Sequence, residues 1–193
     1  MNIAHIEECS YIYGPGRRFV IWTQGCSLRC KGCWNTSMWS FRPKVILSVE
    51  ALYEKIDVAA AAPDGIEGIT LLGGEPLDQY EETTELLRLC KQAGISVILF
   101  TGYEMAEIAE KKALFDLTDI LISGRYEQER RTLNHQWIGS TNQEIHFLSE
   151  RYKDYKKRDV NYMEIAIEES GSVTILGFPP EEFLHAVNLK GRR

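Results

Sequence analysis

"TQGCSLRCKGCWN", residues 23–35, places three of the chain's five cysteines within eight positions and supplies no fourth. It follows directly on the apolar run "RFVIWTQ" (18–24), which reads as a buried strand. A loop that short keeps Cys26, Cys30 and Cys33 close together, so one centre can gather all three thiolates. Thiolates are soft ligands that suit zinc, copper(I) or iron–sulfur clusters. Structural zinc takes four protein ligands, usually as two separated pairs, and here the second pair is missing. The nearest spare donors, Cys9 and the four histidines, are scattered without ligand spacing. A 4Fe-4S cube held by three cysteines explains the deficit, because one iron keeps an open position for a small molecule. The plainer alternative is three cysteines that are buried or zinc-bound without chemistry.

Beyond this loop, strand-like and helical stretches alternate. "GITLLGG" (68–74), "ISVILFTG" (95–102) and "TDILISG" (118–124) read as further strands. Ser48 can cap a helix in which Val49, Leu52, Ile56 and Ala59 share a face, and Pro63-Asp64-Gly65 stops it. Residues 77–93 form a second helical pattern, with Thr83, Leu86, Leu87 and Cys90 facing inward and Gly94 at its end. "EMAEIAEKK" (104–112) predicts a third. The order implies an α/β fold with a mainly parallel sheet, open or partly closed into a barrel. Ligands gather at the carboxyl ends of such strands. The cysteine loop, "GGEP" (73–76) and "TGYE" (101–104) each follow a strand, which places all three on that edge.

With 193 residues, 44% of them hydrophobic and 26% charged, the chain can close one sizeable core. A net charge of −6 gives no electrostatic reason to expect nucleic acid as a partner. No window approaches the roughly eighteen apolar residues of a membrane helix, and clustered, odd-numbered cysteines point to a reducing, cytoplasmic setting. Residues 125–161 are polar and weakly periodic, as in a long functional loop or a partly ordered connector. "YMEIAIEES" and "SVTILGF" then predict a β-hairpin, followed by a short helix over 180–188. Residues 1–150 form the expected core and 151–193 an extension packed on it. Arg17 and Arg18 are candidates for a carboxylate contact.

"CSLRCKGC", with "GGEP" after the next strand, resembles the radical S-adenosylmethionine superfamily. "YGPGRR", "CWN", "FTGYE" and "WIGSTNQEIH" resemble, more narrowly, the single-cluster activating proteins of anaerobic ribonucleotide reductases; pyruvate formate-lyase activases are more distant relatives. The resemblance spans about residues 8–148. It implies a partial (β/α) barrel in which Cys26, Cys30 and Cys33 bind the cube. The amine and carboxylate of S-adenosylmethionine would chelate the fourth iron. Reductive cleavage would give a 5′-deoxyadenosyl radical, the electron coming from a flavodoxin- or ferredoxin-type donor.

By the same resemblance, Gly73, Gly74, Glu75 and Pro76 serve the methionyl amine, and Trp34 is a neighbour of the adenine. Thr101 and Gly102 are candidates for a ribose or methionyl contact. Ser123 stands where relatives often carry an aspartate, and the extension has no counterpart in the minimal activating protein. The expected hydrogen donor is a glycine of a glycyl-radical enzyme, admitted through the open side of an incomplete barrel. Two alternatives stand beside this: a radical enzyme acting on a small molecule or ribosomal peptide, and a non-catalytic iron–sulfur or zinc module. The absence of cysteine from Lys91 to Arg193 leaves no ligands there for auxiliary clusters and weighs against the first.

Overall fold

A computed structural model describes residues 1–167, 170–171 and 173–186. Strands β1 (Asn2–Ser10), β2 (Arg18–Thr23), β3 (Val45–Ile46), β4 (Gly68–Gly73), β5 (Ser96–Phe100), β6 (Ile120–Ser123) and β7 (Glu144–Phe147) form one sheet in the order β3-β1-β2-β4-β5-β6-β7. The pairs β2–β4, β4–β5 and β5–β6 are parallel, and β1, β3 and β7 are added antiparallel. Among the described residues the sheet ends on β3 and β7, which do not pair with each other, so it is open.

The parallel strands are covered on both faces, which is why they read as unbroken apolar runs. One face carries α1 (Val49–Ala61), α2 (Tyr80–Gln92) and α3 (Lys112–Leu117). Phe19, Ile21, Leu71 and Leu99 pack there against Leu52, Ile56, Leu86 and Leu87. Ser48 caps α1 as its sequence implies, its hydroxyl accepting from Ala51 N–H at 3.1 Å. Over the other face lie residues 125–161, with Trp137 and Tyr152 packed on Ile98, Ile120 and Ile122. A hairpin of β8 (Met163–Ile167) and β9 (Val173–Gly177) sits beside them, and Leu176 is buried with Ala4, Val20 and Trp22. A last helix, α4, spans Glu181–Ala186; the remainder of the helix expected over 180–188 lies outside the described residues.

Three expectations need correction. Residues 104–112 form successive turns, and the helix comes later, as α3. Glu107 ties these turns down, its carboxylate accepting from Glu104 N–H at 2.8 Å and from both ends of the Arg125 guanidinium. The stretch 125–161 is no bare loop, since it contains β7 and two short 3-10 turns. Arg18 is not placed for a ligand. It is fully buried at the amino ends of the strands, donating to Thr70 Oγ1 at 3.2 Å, Ser96 Oγ at 2.6 Å and the Ser96 and Ile69 carbonyls. Burial lowers its pKa to about 10.

Candidate active site

The cysteine loop leaves the carboxyl end of β2 and folds back under the next strand's turn. Gly25 N–H donates to Met38 O at 2.8 Å and Cys26 N–H to Trp39 O at 3.2 Å, so the segment after the cysteines props up the segment before them. From β4, Gly74 N–H reaches Thr23 O and Glu75 N–H reaches Gly25 O, both at 2.8 Å. A β-carbon at Gly74 would lie 2.1 Å from the Gly25 carbonyl oxygen. Glycine is therefore required there by the backbone of the cysteine loop itself, a constraint separate from the methionyl-amine contact that the resemblance implies. Asp78 completes the seating, accepting from Ser27 N–H at 2.6 Å and Ser27 Oγ at 2.8 Å.

The three thiols differ in depth: Cys26 is buried, while Cys30 and Cys33 are half-buried. Burial raises the pKa of Cys26, against which the backbone N–H groups of Arg29 and Leu28 act; burial likewise raises Cys30, opposed by the Tyr126 backbone N–H. Asn35 N–H points at Cys33 Sγ at 3.3 Å. These N–H donors suit sulfur ligands that carry negative charge. Among the described residues no three Cys, His, Asp or Glu side chains converge on a single ion position. Three thiols on the wall of one cavity, with no other cysteine and no histidine on that wall, suit a cluster in which each thiolate takes a different iron. Cys90 is buried on α2 with its pKa pushed up to about 12, and Cys9 receives Arg17 Nε–H at 3.3 Å; neither joins the three.

One cavity at this edge is lined by Cys26, Cys30, Cys33 and Trp34. Gly73, Gly74, Glu75, Thr101 and Gly102 line it too, whereas Pro76 lies off the wall, as do Arg17 and Arg18. Pro76 is buried and starts a 3-10 turn, its carbonyl accepting from Thr83 Oγ1 at 2.8 Å. Glu75 is almost wholly buried and works as a bracket between strand ends. Its carboxylate accepts from Leu77 N–H at 2.9 Å, Thr101 Oγ1 at 2.8 Å and Gly102 N–H at 2.8 Å, and burial lifts its pKa to about 7. The Thr101 hydroxyl and Gly102 amide are thus engaged within the protein. Ser123 is buried and bonded to His146 Nε2 at 2.9 Å.

The wall also includes residues that no local motif flagged for the site: Tyr13, Phe100, Arg131, Trp137, Tyr162 and Phe178. Their positions are set by long-range contacts, as where Trp137 Nε1–H donates to Ile12 O at 3.1 Å. "YGPGRR", "FTGYE" and "WIGSTNQEIH" contained three of them, Tyr13, Phe100 and Trp137, without marking any as a lining residue. For Arg131 and Phe178 no spacing rule applies.

A family model described as a 4Fe-4S single cluster domain matches residues 12–146. The anaerobic ribonucleoside-triphosphate reductase-activating protein of Enterobacteria phage T4 is 32% identical over 149 residues, covering 75% of this chain and 93% of the relative. The protein of the same name from Haemophilus influenzae is 32% identical over 153 residues, 76% and 97% of the two chains. That of Escherichia coli K12 is 27% identical over 157 residues, 77% and 99%. The match takes in all three cysteines and both strand-end motifs, and it runs nearly the full length of these relatives: the chain belongs to the 4Fe-4S single cluster domain family, beside the anaerobic ribonucleoside-triphosphate reductase-activating proteins.

Proposed function

We propose that Cys26, Cys30 and Cys33 hold a 4Fe-4S cluster with which the protein, using S-adenosylmethionine, installs a glycyl radical on a partner enzyme of the anaerobic ribonucleotide reductase type. The observation that carries this is the convergence of three thiols, with no fourth cysteine, and two strand-end motifs on one cavity, in a chain that spans nearly all of the activating proteins. A cluster held there would supply the electron for reductive cleavage of S-adenosylmethionine, the chemistry that allows a hydrogen atom to be taken from glycine.

The chain's own residues do the holding. Cys26, Cys30 and Cys33 supply thiolates that backbone N–H groups stabilise, and Gly73 to Glu75 seat the loop while lining the space that the methionyl group would take, with Pro76 buried behind them. Trp34, on the same wall, would neighbour the adenine. Thr101 and Gly102 act through the Glu75 bracket. Apolar walls from Leu72, Phe100 and Trp137 keep water from the reacting centre. The four parallel strands with their crossover helices support reading the sheet as a partial barrel of the radical S-adenosylmethionine type. A flavodoxin- or ferredoxin-type protein donates the electron in the cytoplasm. Neither a membrane nor nucleic acid enters this reading: among the described residues no helix is long and apolar enough to cross a membrane, and the chain's net charge is −6.

Anaerobic reconstitution tests the cluster and the reaction together. The protein is expected to bind about four irons and four sulfides per chain, the content of one cube. Cys26→Ala, Cys30→Ala or Cys33→Ala each abolishes this, while Cys9→Ala and Cys90→Ala leave it intact. Adding reductant, S-adenosylmethionine and the cognate glycyl-radical enzyme yields 5′-deoxyadenosine and a persistent doublet in electron paramagnetic resonance. Deuterated glycine in the partner collapses its splitting. A partner that never acquires a radical, with a small molecule or peptide emerging modified instead, would move the protein to the other enzymatic class.

A further inference from the structure

The C-terminal segment beyond the matched span 12–146 reaches into the cavity wall. Phe178 meets the Trp34 indole edge-on, with ring centroids 5.9 Å apart and planes at 72°. From the opposite connector, the Arg131 guanidinium lies over the same indole at 5.6 Å. Both arrangements are attractive geometries for an aromatic ring, and both residues line the cavity with Trp34. The indole immediately follows the third cysteine, so whatever fixes it fixes one side of the space next to the cluster ligands.

Phe178 is held from both sides. Gly177 N–H donates to Tyr13 Oη at 3.0 Å, and the Phe178 carbonyl accepts from Asn161 Nδ2 at 2.7 Å. Gly177 takes φ +91°, and a β-carbon there would lie 2.5 Å from the Tyr162 carbonyl oxygen, so only glycine makes the turn that aims Phe178 at the indole. Upstream, Glu164 anchors the hairpin to the end of β1, accepting from Tyr11 N–H at 2.7 Å and Ser10 Oγ at 2.5 Å. These ties make the segment a built part of the site.

We propose that Phe178 and Arg131 are positioning residues that clamp Trp34 against bound S-adenosylmethionine, so that the C-terminal extension encloses the cofactor before any protein partner docks. This rests on the function proposed above. The extension takes over part of the enclosure that an incomplete barrel would otherwise leave to the partner, and cofactor affinity without partner is where it shows.

Equilibrium dialysis of labelled S-adenosylmethionine on the reconstituted full-length protein, without partner, tests this. Phe178→Ala is expected to raise Kd about fivefold, the order expected for losing one aromatic pair, with iron content and cluster absorbance unchanged. Phe178→Tyr, which keeps the ring edge, restores affinity to within about twofold. In a Trp34→Ala background the Phe178→Ala effect disappears, as it must if Phe178 acts through the indole. If Phe178→Ala loses the cluster, Phe178→Leu keeps the bulk without the ring and carries the same criteria. Unchanged Kd in a cluster-loaded variant, or an equal loss in the Trp34→Ala background, overturns the clamp. Should wild-type protein take up neither cluster nor S-adenosylmethionine, it is the proposed function that fails.

Discussion

At Gly74 a single carbon decides whether the cysteine loop can close. The Gly25 carbonyl stands 2.1 Å from where a β-carbon would be, and the Met38 carbonyl 3.1 Å away, so neither neighbour is a flexible side chain able to swing aside. From its sequence alone, Gly74→Val should weaken S-adenosylmethionine binding and spare the cluster. The packing changes that expectation. Gly74→Val must displace the backbone that carries Cys26, at an overpacking cost of about 1–3 kcal/mol. The variant should therefore lose most of its reconstituted iron and melt earlier, as iron assay and circular dichroism will show. Full iron with an unaltered melting curve would return Gly74 to a role in ligand approach.

The 3-10 turn after β4 acts on the cysteine loop through Asp78, whose two oxygens hold Ser27 by its N–H and its hydroxyl. Hydrogen bonds to a charged group are worth about 1.5–3 kcal/mol, so Asp78→Ala should speed iron loss to a chelator several-fold, and Asp78→Asn, which keeps one acceptor, should fall between. Iron release followed by absorbance measures it. The motifs around this turn were legible in the sequence because each is a local stretch directly after an apolar run, and parallel strands cannot hide such runs. β1 was not, since irregular register between Ile3 and His5, and again between Glu7 and Ser10, breaks the alternation that marks a strand. Four-residue β7 is too short to show a period at all. Met105 and Ile108 have helical spacing, yet the chain there forms turns, with Glu107 paired to Arg125, a partner that no local pattern shows. The wall residues Arg131 and Phe178 escaped for the same reason: they meet Trp34 only after the chain has folded.

Across the whole molecule the two ends of the parallel strands do different work. Arg18 ties β2, β4 and β5 together at the amino end, where Tyr152 adds its hydroxyl to Glu67 at 2.6 Å and Ser96 at 2.8 Å. The carboxyl end is left to the cavity. The hairpin belongs to both the core and that cavity, so deleting residues 160–193 should uncover Val20 and Trp22 as well as open the site. Burial of a leucine such as Leu176 is worth about 1.5–3 kcal/mol, and with roughly 2–4 °C per kcal/mol for a chain of this size the melting temperature should fall by at least about 3 °C. Iron binding should survive, because the cysteine loop is braced from β4. A shortened chain with unchanged melting and cofactor affinity would make the hairpin peripheral. The unequal depth of the three thiols bears on how the centre is made. Iron and sulfide arriving from solvent would meet Cys30 and Cys33 before the buried Cys26, and oxygen would attack the finished centre from that same outer side, reaching the innermost ligand last.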